Sequence, residues 1–327
     1  MQAREREWTV GVAKENASGG EQVLIRADEL QAKCSTILEH AGLNPVDAAI
    51  AAECLVQSDL RGVDVEGVTL LPIYVQRLKM GLSNPHPRLV VLREAGAVAV
   101  IDGDYGLGQV VGTLAMERAI ALADTNGVGL VGVRNSTHFS MAANYAMKAM
   151  RRDMIGIVLN SGRALIAPTG GVRAMVCDGP MAIAVPTGKE LPLVLDMALT
   201  TVARGKIKVA LQRGEPIPAG WATDSLGQPT TDPLEALTGL LSPVGGAKGY
   251  GLALMNGILA GILMGGPFAW QVGSVYDDLD RPQRVGHMMI AIAISNFMPV
   301  DEFKSRVDEM IREIRSCPRM PDVARVY

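Results

Sequence analysis

A chain of 327 residues, 48% hydrophobic and carrying 31 Lys and Arg against 34 Asp and Glu for a net charge of −3, can bury most of its apolar surface as one large domain or two ordinary ones. Its cations are scattered among acids with no run that would neutralise a phosphate track, which argues against a nucleic-acid partner. The dispersed Cys34, Cys54, Cys177 and Cys317 have no metal-ligand spacing, so no metal is expected, and they read as reduced thiols of a cytoplasmic protein.

In chain order, residues 1–22 lack the apolar core of a signal peptide and read as a flexible tail. Residues 23–87 form a helical N-terminal region. Apolar positions at helical spacing over 27–42 start among acids suited to a helix N-terminus, and Asn44-Pro45 opens a second helix from Val46 to about Arg61. A third, from about Leu70 to Met80, stops at Gly81. From 88 to 285 the period changes. Runs at Leu89–Arg93, Ala97–Asp102, Val128–Val133, Ile155–Leu159, Met181–Pro186 and Leu193–Asp196 read as strands, with helices near Val110–Thr125 and Ala142–Arg152. Arg213–Pro233, rich in Gly and Pro, reads as a long loop. Gly249–Tyr276 is uncharged for 28 residues, but its glycines and Pro267 favour a buried core or subunit-interface helix over a membrane span. Residues 286–327 supply a further strand of the same sheet, His287–Ile294, and a surface helix, Val300–Arg315, returning to the N-terminal region.

The most informative turn lies within residues 131–145, where an apolar strand pattern runs into Asn135-Ser-Thr-His138 and then a small-residue helix. His138 has a structural reading, a core histidine bonded to backbone. It also has a functional one, a neutral imidazole beside a helix N-terminus whose free amides receive a phosphate or a carbonyl oxygen. His40, His86 and His287 fit a helix end, a Pro-rich loop and a strand edge. Gly106-Leu-Gly-Gln-Val-Val-Gly112 approximates a Rossmann fingerprint. However, Gly103-Asp-Tyr105 intervenes after the strand, the glycine spacing is off by one, and no acid ends the next strand. Asp196 ends an apolar run and reads as the N-cap of the next helix. Lys248, in a Gly-rich turn, is either solvated or part of an anion site at a helix N-terminus.

With Asp102-Gly-Asp-Tyr-Gly-Leu-Gly-Gln109, Ala203-Arg-Gly-Lys-Ile207 and Gly246-Ala-Lys-Gly-Tyr-Gly251, the His138 segment resembles the type-2 malate/L-lactate dehydrogenase family of NAD(P)-dependent oxidoreductases, from about residue 24 to 325. That family includes ketimine, 2-keto acid and ureidoglycolate enzymes. The resemblance implies a non-Rossmann α/β fold with a helical N-terminal layer, a mixed sheet and helices, assembled as a homodimer. It implies NAD or NADP as cofactor and a small-molecule substrate. It also implies cofactor contacts from His138, Phe139, Ser140, Asn160, Ser161, Gly179, Pro180 and Lys248, and catalytic roles for His138, Lys248 and Asp196, the last supporting the catalytic acid. Thr169, Gly179 and Ala247 depart from the family's usual residues. The chain also stops at Tyr327, short of the Pro-Gly-Glu segment that in relatives helps enclose the dinucleotide.

The largest departure is at the family's Ser-His-Gly-x-x-Arg, which reads Val65-Glu66-Gly67-Val68-Thr69-Leu70 here. In the family that histidine gives a proton to the substrate carbonyl and the arginine clamps its carboxylate. Glu66 and Leu70 stand at those catalytic and substrate-binding places. A 2-keto acid in the family pose would meet an alkyl group and a like charge, a loss of roughly several kcal/mol. The favoured expectation is a cyclic imine that is protonated when it reacts, its charge stabilised by an ionised Glu66. One alternative is a 2-keto or 2-hydroxy acid turned so that Arg163 takes its carboxylate. Another is a catalytically inactive binding or assembly homologue. Glu66 is expected at or near a dimer interface, approaching the half of the molecule that carries His138.

Overall fold

The computed structural model describes residues 9–12 and 23–326. Strand β1 (Thr9–Val12) pairs antiparallel with β2 (Val23–Arg26). Part of the segment expected as a loose tail is therefore a strand, and the rest of residues 1–22 lies outside the described residues. Helices α1 (Ala27–His40), α2 (Pro45–Leu60) and α3 (Leu71–Lys79) follow. The Asn44 side chain caps α2 by accepting the Asp47 N–H at 3.0 Å, with Pro45 in the first turn where its missing N–H costs nothing. Leu30, Leu38, Leu55, Tyr74 and Leu78 form this layer's core and meet Leu107 and Val110 of the main body.

The main body runs β3 (Val90–Ala95), β4 (Val98–Asp102), α4 (Gly108–Asn126), β5 (Val128–Ser136), α5 (Ala143–Met150), β6 (Met154–Asn160) and the small hairpin β7 (Ala164–Ile166) and β8 (Val176–Cys177). Then come β9 (Met181–Val185), β10 (Leu193–Met197), α6 (Arg204–Arg213), β11 (Ala222–Thr223), β12 (Pro229–Thr230), α7 (Pro233–Thr238), β13 (Leu240–Leu241), α8 (Ala247–Ala260), β14 (Val285–Ala293) and α9 (Val300–Ser316). Seven strands form one mixed sheet in the order β10-β9-β6-β14-β5-β4-β3, antiparallel at every pair except β4 with β5.

Alternation along the strands divides two apolar faces. Ala99, Ile101, Val131, Val133, Met289 and Ala291 face α4 and α5, whereas Val100, Leu130, Met288 and Ile290 face the end of α8. Gly129 makes the first packing possible, since a Cβ there would stand 1.9 Å from the Ala119 carbonyl oxygen.

Two expectations change. The stretch Arg213–Pro233 contains the two short strands β11 and β12, which join β13 in a separate small sheet. The C-terminal segment does not return to the N-terminal layer. β14 lies at the centre of the main sheet, and Asp308 of α9 accepts the N–H groups of Gly188, Lys189 and Glu190. Within its own chain α8 is not fully enclosed, which leaves the subunit-interface alternative for it. It and the following turn, Ala247–Met264, are long and apolar enough by composition to cross a membrane, and Asn256 on one face binds the Asn160 and Gly179 carbonyls. Leu252, Met255 and Leu263 on the helix and its following turn are exposed.

Candidate active site

Glu66 ends a single 3-10 turn, Asp64–Glu66, and a second, Val68–Leu70, begins after Gly67. Asp59 at the end of α2 folds under this junction and accepts the Val68 N–H at 3.1 Å. A Cβ at 67 would stand 1.7 Å from Asp59 Oδ1, so a larger residue there would have to push aside the carboxylate that accepts the Val68 N–H. The Ser140 hydroxyl donates to the Glu66 carbonyl oxygen, so the Glu66 turn and the His138 turn are tied together within one chain. Glu66 thus approaches the half of the molecule that carries His138 through contacts made within one chain.

The His138 turn joins β5 to α5. Its backbone N–H donates to Gln283 Oε1 at 3.1 Å. Behind it lies Gly108, where a Cβ would meet the His138 carbonyl oxygen at 2.5 Å, and the Gly108 N–H donates to Thr137 Oγ1 at 2.9 Å. The glycines of the Rossmann-like stretch thus serve close packing, and Thr137 occupies an N–H that a diphosphate would need.

Two donors aim at His138 Nδ1, the Tyr74 hydroxyl at 2.7 Å and the Ser140 N–H at 3.4 Å. Burial holds the Tyr74 phenol far from ionisation and pushes the imidazole down to about 4. His138 is therefore neutral with its hydrogen on Nε2, which faces Glu66 Oε2 at 3.5 Å. The Glu66 side chain is 31% exposed, but Oε2 is buried without a hydrogen-bond partner. Burial, then the nearby Asp178 and Asp196 carboxylates, push the Glu66 carboxyl up to about 8. Burial at Glu66 thus favours the protonated carboxyl over the ionised form expected from the sequence.

Phe139 is buried between two rings, Tyr145 at 4.9 Å and His287 at 4.6 Å. His287 lies in the central strand β14, not at a strand edge. Its Nδ1–H donates to Asn160 Oδ1 at 2.5 Å, and its Nε2 accepts from the Ser136 hydroxyl at 2.8 Å. This array behind His138 was missed in the sequence, because strand order decides which histidine stands beside β5 and β6. Asn160, Ser161, Gly179 and the backbone of Pro180 form the adjoining wall. Ser161 Oγ accepts the Gly286 N–H at 2.8 Å, and the Asn160 N–H reaches the Pro180 carbonyl at 3.2 Å.

The remaining site residues take different places. Asp196 accepts the Ala143 N–H at 2.8 Å, so it caps the earlier α5 rather than the helix after it. Leu70 is buried with Leu71, Leu107 and Val110 in the helical layer's core and offers nothing to a substrate. Arg163 pairs with Asp277 at 2.9 Å, so it is not a free anion acceptor. Lys248 is exposed in the first turn of α8. Among the described residues, no hydrogen bond or ion pair joins it to Glu66, His138 or Asp196.

Two arginines escaped the sequence reading. Arg204 opens α6, and Gly205 beside it seats Val65, with a Cβ on Gly205 only 3.0 Å from Val65 Cγ1. Arg77, buried in α3, donates to the carbonyls of Val275, Asp278 and Arg281 at 3.2, 2.9 and 3.2 Å. It thereby holds the 273–283 loop, whose Gln283 accepts the His138 N–H.

The malate/L-lactate dehydrogenase family model matches residues 25–327. The chain belongs to that family. It is 42% identical to a malate dehydrogenase of Pyrococcus abyssi over 93% of this chain and 85% of that one. The solved sulfolactate dehydrogenase of Methanocaldococcus jannaschii superposes with a TM-score of 0.85 at 40% identity, covering 91% of this chain and 86% of that one. A delta1-piperideine-2-carboxylate reductase of Pseudomonas syringae pvar. tomato gives 0.81 at 26% identity, covering 88% and 87%. Other relatives are named as an NAD(+)-dependent ureidoglycolate dehydrogenase of Escherichia coli and an NADP(+)-dependent (2R)-3-sulfolactate dehydrogenase of Chromohalobacter salexigens. The chain is an NAD(P)-dependent oxidoreductase with the family's mixed α/β fold.

Its residues fit such a cofactor at one chemically clear place. Gly245 and Gly246, with φ of 62° and 67° and no atom within 4 Å of a notional Cβ, open the exposed first turn of α8 beside Lys248. An open glycine turn, helix amides and an ammonium suit a diphosphate.

Proposed function

We propose that this family member reduces a small cyclic imine with NAD(P)H, Glu66 handing its proton to the imine nitrogen. The observation that carries the reading is the Glu66 carboxyl against the neutral His138 imidazole, with Oε2 shut in 3.5 Å from Nε2. When bound, the reduced nicotinamide would supply the hydride that the imine carbon takes. The nitrogen takes the Glu66 proton, and the carboxylate left behind stabilises the cationic nitrogen while the hydride arrives. Solvent then returns a proton to Glu66, and the product is the cyclic amine. His138, held by Tyr74, Ser140 and Gln283, is the positioning group for the carboxyl. The Lys248 turn, with Asn160, Ser161, Gly179 and Pro180, is the proposed cofactor wall.

A second reading is reduction of a 2-keto acid, with the same proton delivered to the carbonyl oxygen. It is favoured by the relatives named for malate and sulfolactate. Parallel assays with delta1-piperideine-2-carboxylate and with the keto forms of malate and sulfolactate, each with NADH and NADPH, test both. The expected outcome is a kcat/KM for the imine at least about tenfold above the keto acids, corresponding to about 1.4 kcal/mol. Keto acids turned over faster would establish the second reading, and turnover of neither would reject both.

The exposed apolar face of α8, continued by the stacked Phe268 and Trp270 rings 4.8 Å apart, supports a homodimer, which we place in the cytoplasm. Light scattering of the purified protein is expected to return twice the chain mass; a monomer would count against the dimer.

A further inference from the structure

Three cations from two segments converge on the loop that carries Tyr276 and Asp277. Arg204 and Lys208 lie one helical turn apart on α6, and Arg163 follows β6. All three side chains are half-buried. Lys208 Nζ stands 3.9 Å above the Tyr276 ring, Arg163 pairs with Asp277 at 2.9 Å, and Arg204 donates to the Leu237 carbonyl at 3.0 Å. Asp277 also accepts the Ser274 hydroxyl at 2.9 Å, and its side chain is 60% exposed. Three cations therefore lie within electrostatic reach of Asp277, whose carboxylate is largely exposed, while the buried Asp178 also acts on Arg163 and Arg204.

The cluster lies close to Glu66. Gly205, between Arg204 and Lys206, presses on Val65, the neighbour of Glu66. Gly162, the neighbour of Arg163, approaches Asp178, one of the carboxylates that hold the Glu66 proton in place. Burial first, then repulsion by neighbouring cations (Arg163 on Arg204, and Arg204 and Arg163 on Lys208), lowers Arg204 and Lys208 against the opposing pull of Asp277 on both and of Asp178 on Arg204.

We propose that Arg204 and Lys208, with Arg163, form the subsite that takes the carboxylate or sulfonate of the substrate, and that Asp277 is the internal counterion this group displaces. The inference rests on the reading of Glu66 as the group that faces the reacting bond, and it makes the substrate a small anion carrying its reducible bond beside its charge. Arg204 and Lys208 are then specificity-determining residues.

The test pairs delta1-piperideine-2-carboxylate with the same cyclic imine lacking its carboxylate, and adds oxalate as a non-reacting anion probe in thermal unfolding. Wild type should prefer the carboxylate-bearing imine by about a hundredfold in kcat/KM, and the Arg204→Gln/Lys208→Gln variant should lose about tenfold or more of that preference, chiefly through KM. Oxalate should raise the Tm of wild type and not that of the double variant. Asp277→Asn, which frees Arg163, should bind oxalate about threefold or more tighter than wild type. If the double variant unfolds, Lys208→Gln alone and Arg204→Lys supply the same comparison.

Reduction of the imines with an undiminished carboxylate preference and undiminished oxalate binding in the variants would overturn the subsite. An effect confined to the KM for NADPH and absent with NADH would assign the cluster to the cofactor's 2′-phosphate and overturn it too. Oxalate binding that depends on Arg204 and Lys208, without turnover of any imine, would support the subsite and remove the imine reading.

Discussion

Glu66→Gln should lower kcat by about 10²–10⁴-fold, because the amide keeps the shape of the carboxyl but has no acidic proton to give. The pH dependence gives a second readout. The Glu66 carboxyl sits at about 8, above its ordinary 4.5, so it is protonated below that point. Reduction consumes that proton, so the wild-type rate should fall as pH rises through about 8. Oxidation needs the carboxylate as base and should rise through the same point. The variant should show neither limb. Linkage runs the same way for stability. The unfolded chain gives up this proton first, so the Glu66 contribution is complete below about 4.5 and is lost as pH rises through about 8. Unfolding followed at both ends of that range should show Glu66→Gln gaining on wild type in alkali.

Arg77→Met should cost about 3–5 kcal/mol, because a buried guanidinium leaves and the backbone carbonyls of Val275, Asp278 and Arg281 lose their donor. For a chain of this size that is a fall in Tm of roughly 4–8 °C. The same substitution should raise the substrate KM by about tenfold, since the released loop carries Tyr276, Asp277 and the Gln283 that holds the His138 N–H. Stability is read by thermal unfolding and KM by steady-state kinetics at a temperature where the variant is folded. A normal Tm would show that the loop is held by other contacts.

Much of the scaffold was legible because its signals are local. The three N-terminal helices and the seven strands of the main sheet follow from apolar periodicity, and Asn44-Pro45 marks the start of α2 as its chemistry dictates. His138 was legible for the same reason, being one imidazole in a polar turn between a strand and a helix. What the sequence hid depends on which strands are neighbours. β14 enters the sheet between β5 and β6, and only that order puts His287 against Phe139, Asn160 and Ser136. Asp196 reads as a cap for the helix after it, yet it caps α5 across the fold. Arg77 looks like a surface residue of an amphipathic helix, and its burial is set by a loop about 200 positions away. The proton on Glu66 was hidden too, since it depends on burial and on Asp178 and Asp196, all distant in sequence.

The claim that Glu66 enters the reaction as an acid is open to direct titration. Carboxyl-carbon NMR of protein labelled at glutamate, with Glu66→Gln to assign the signal, follows this one group across the pH range without any substrate. The account predicts a midpoint near 8, leaving the carboxyl protonated at neutral pH. A midpoint near the ordinary 4.5 would mean an ionised Glu66 in the resting site and would contradict it.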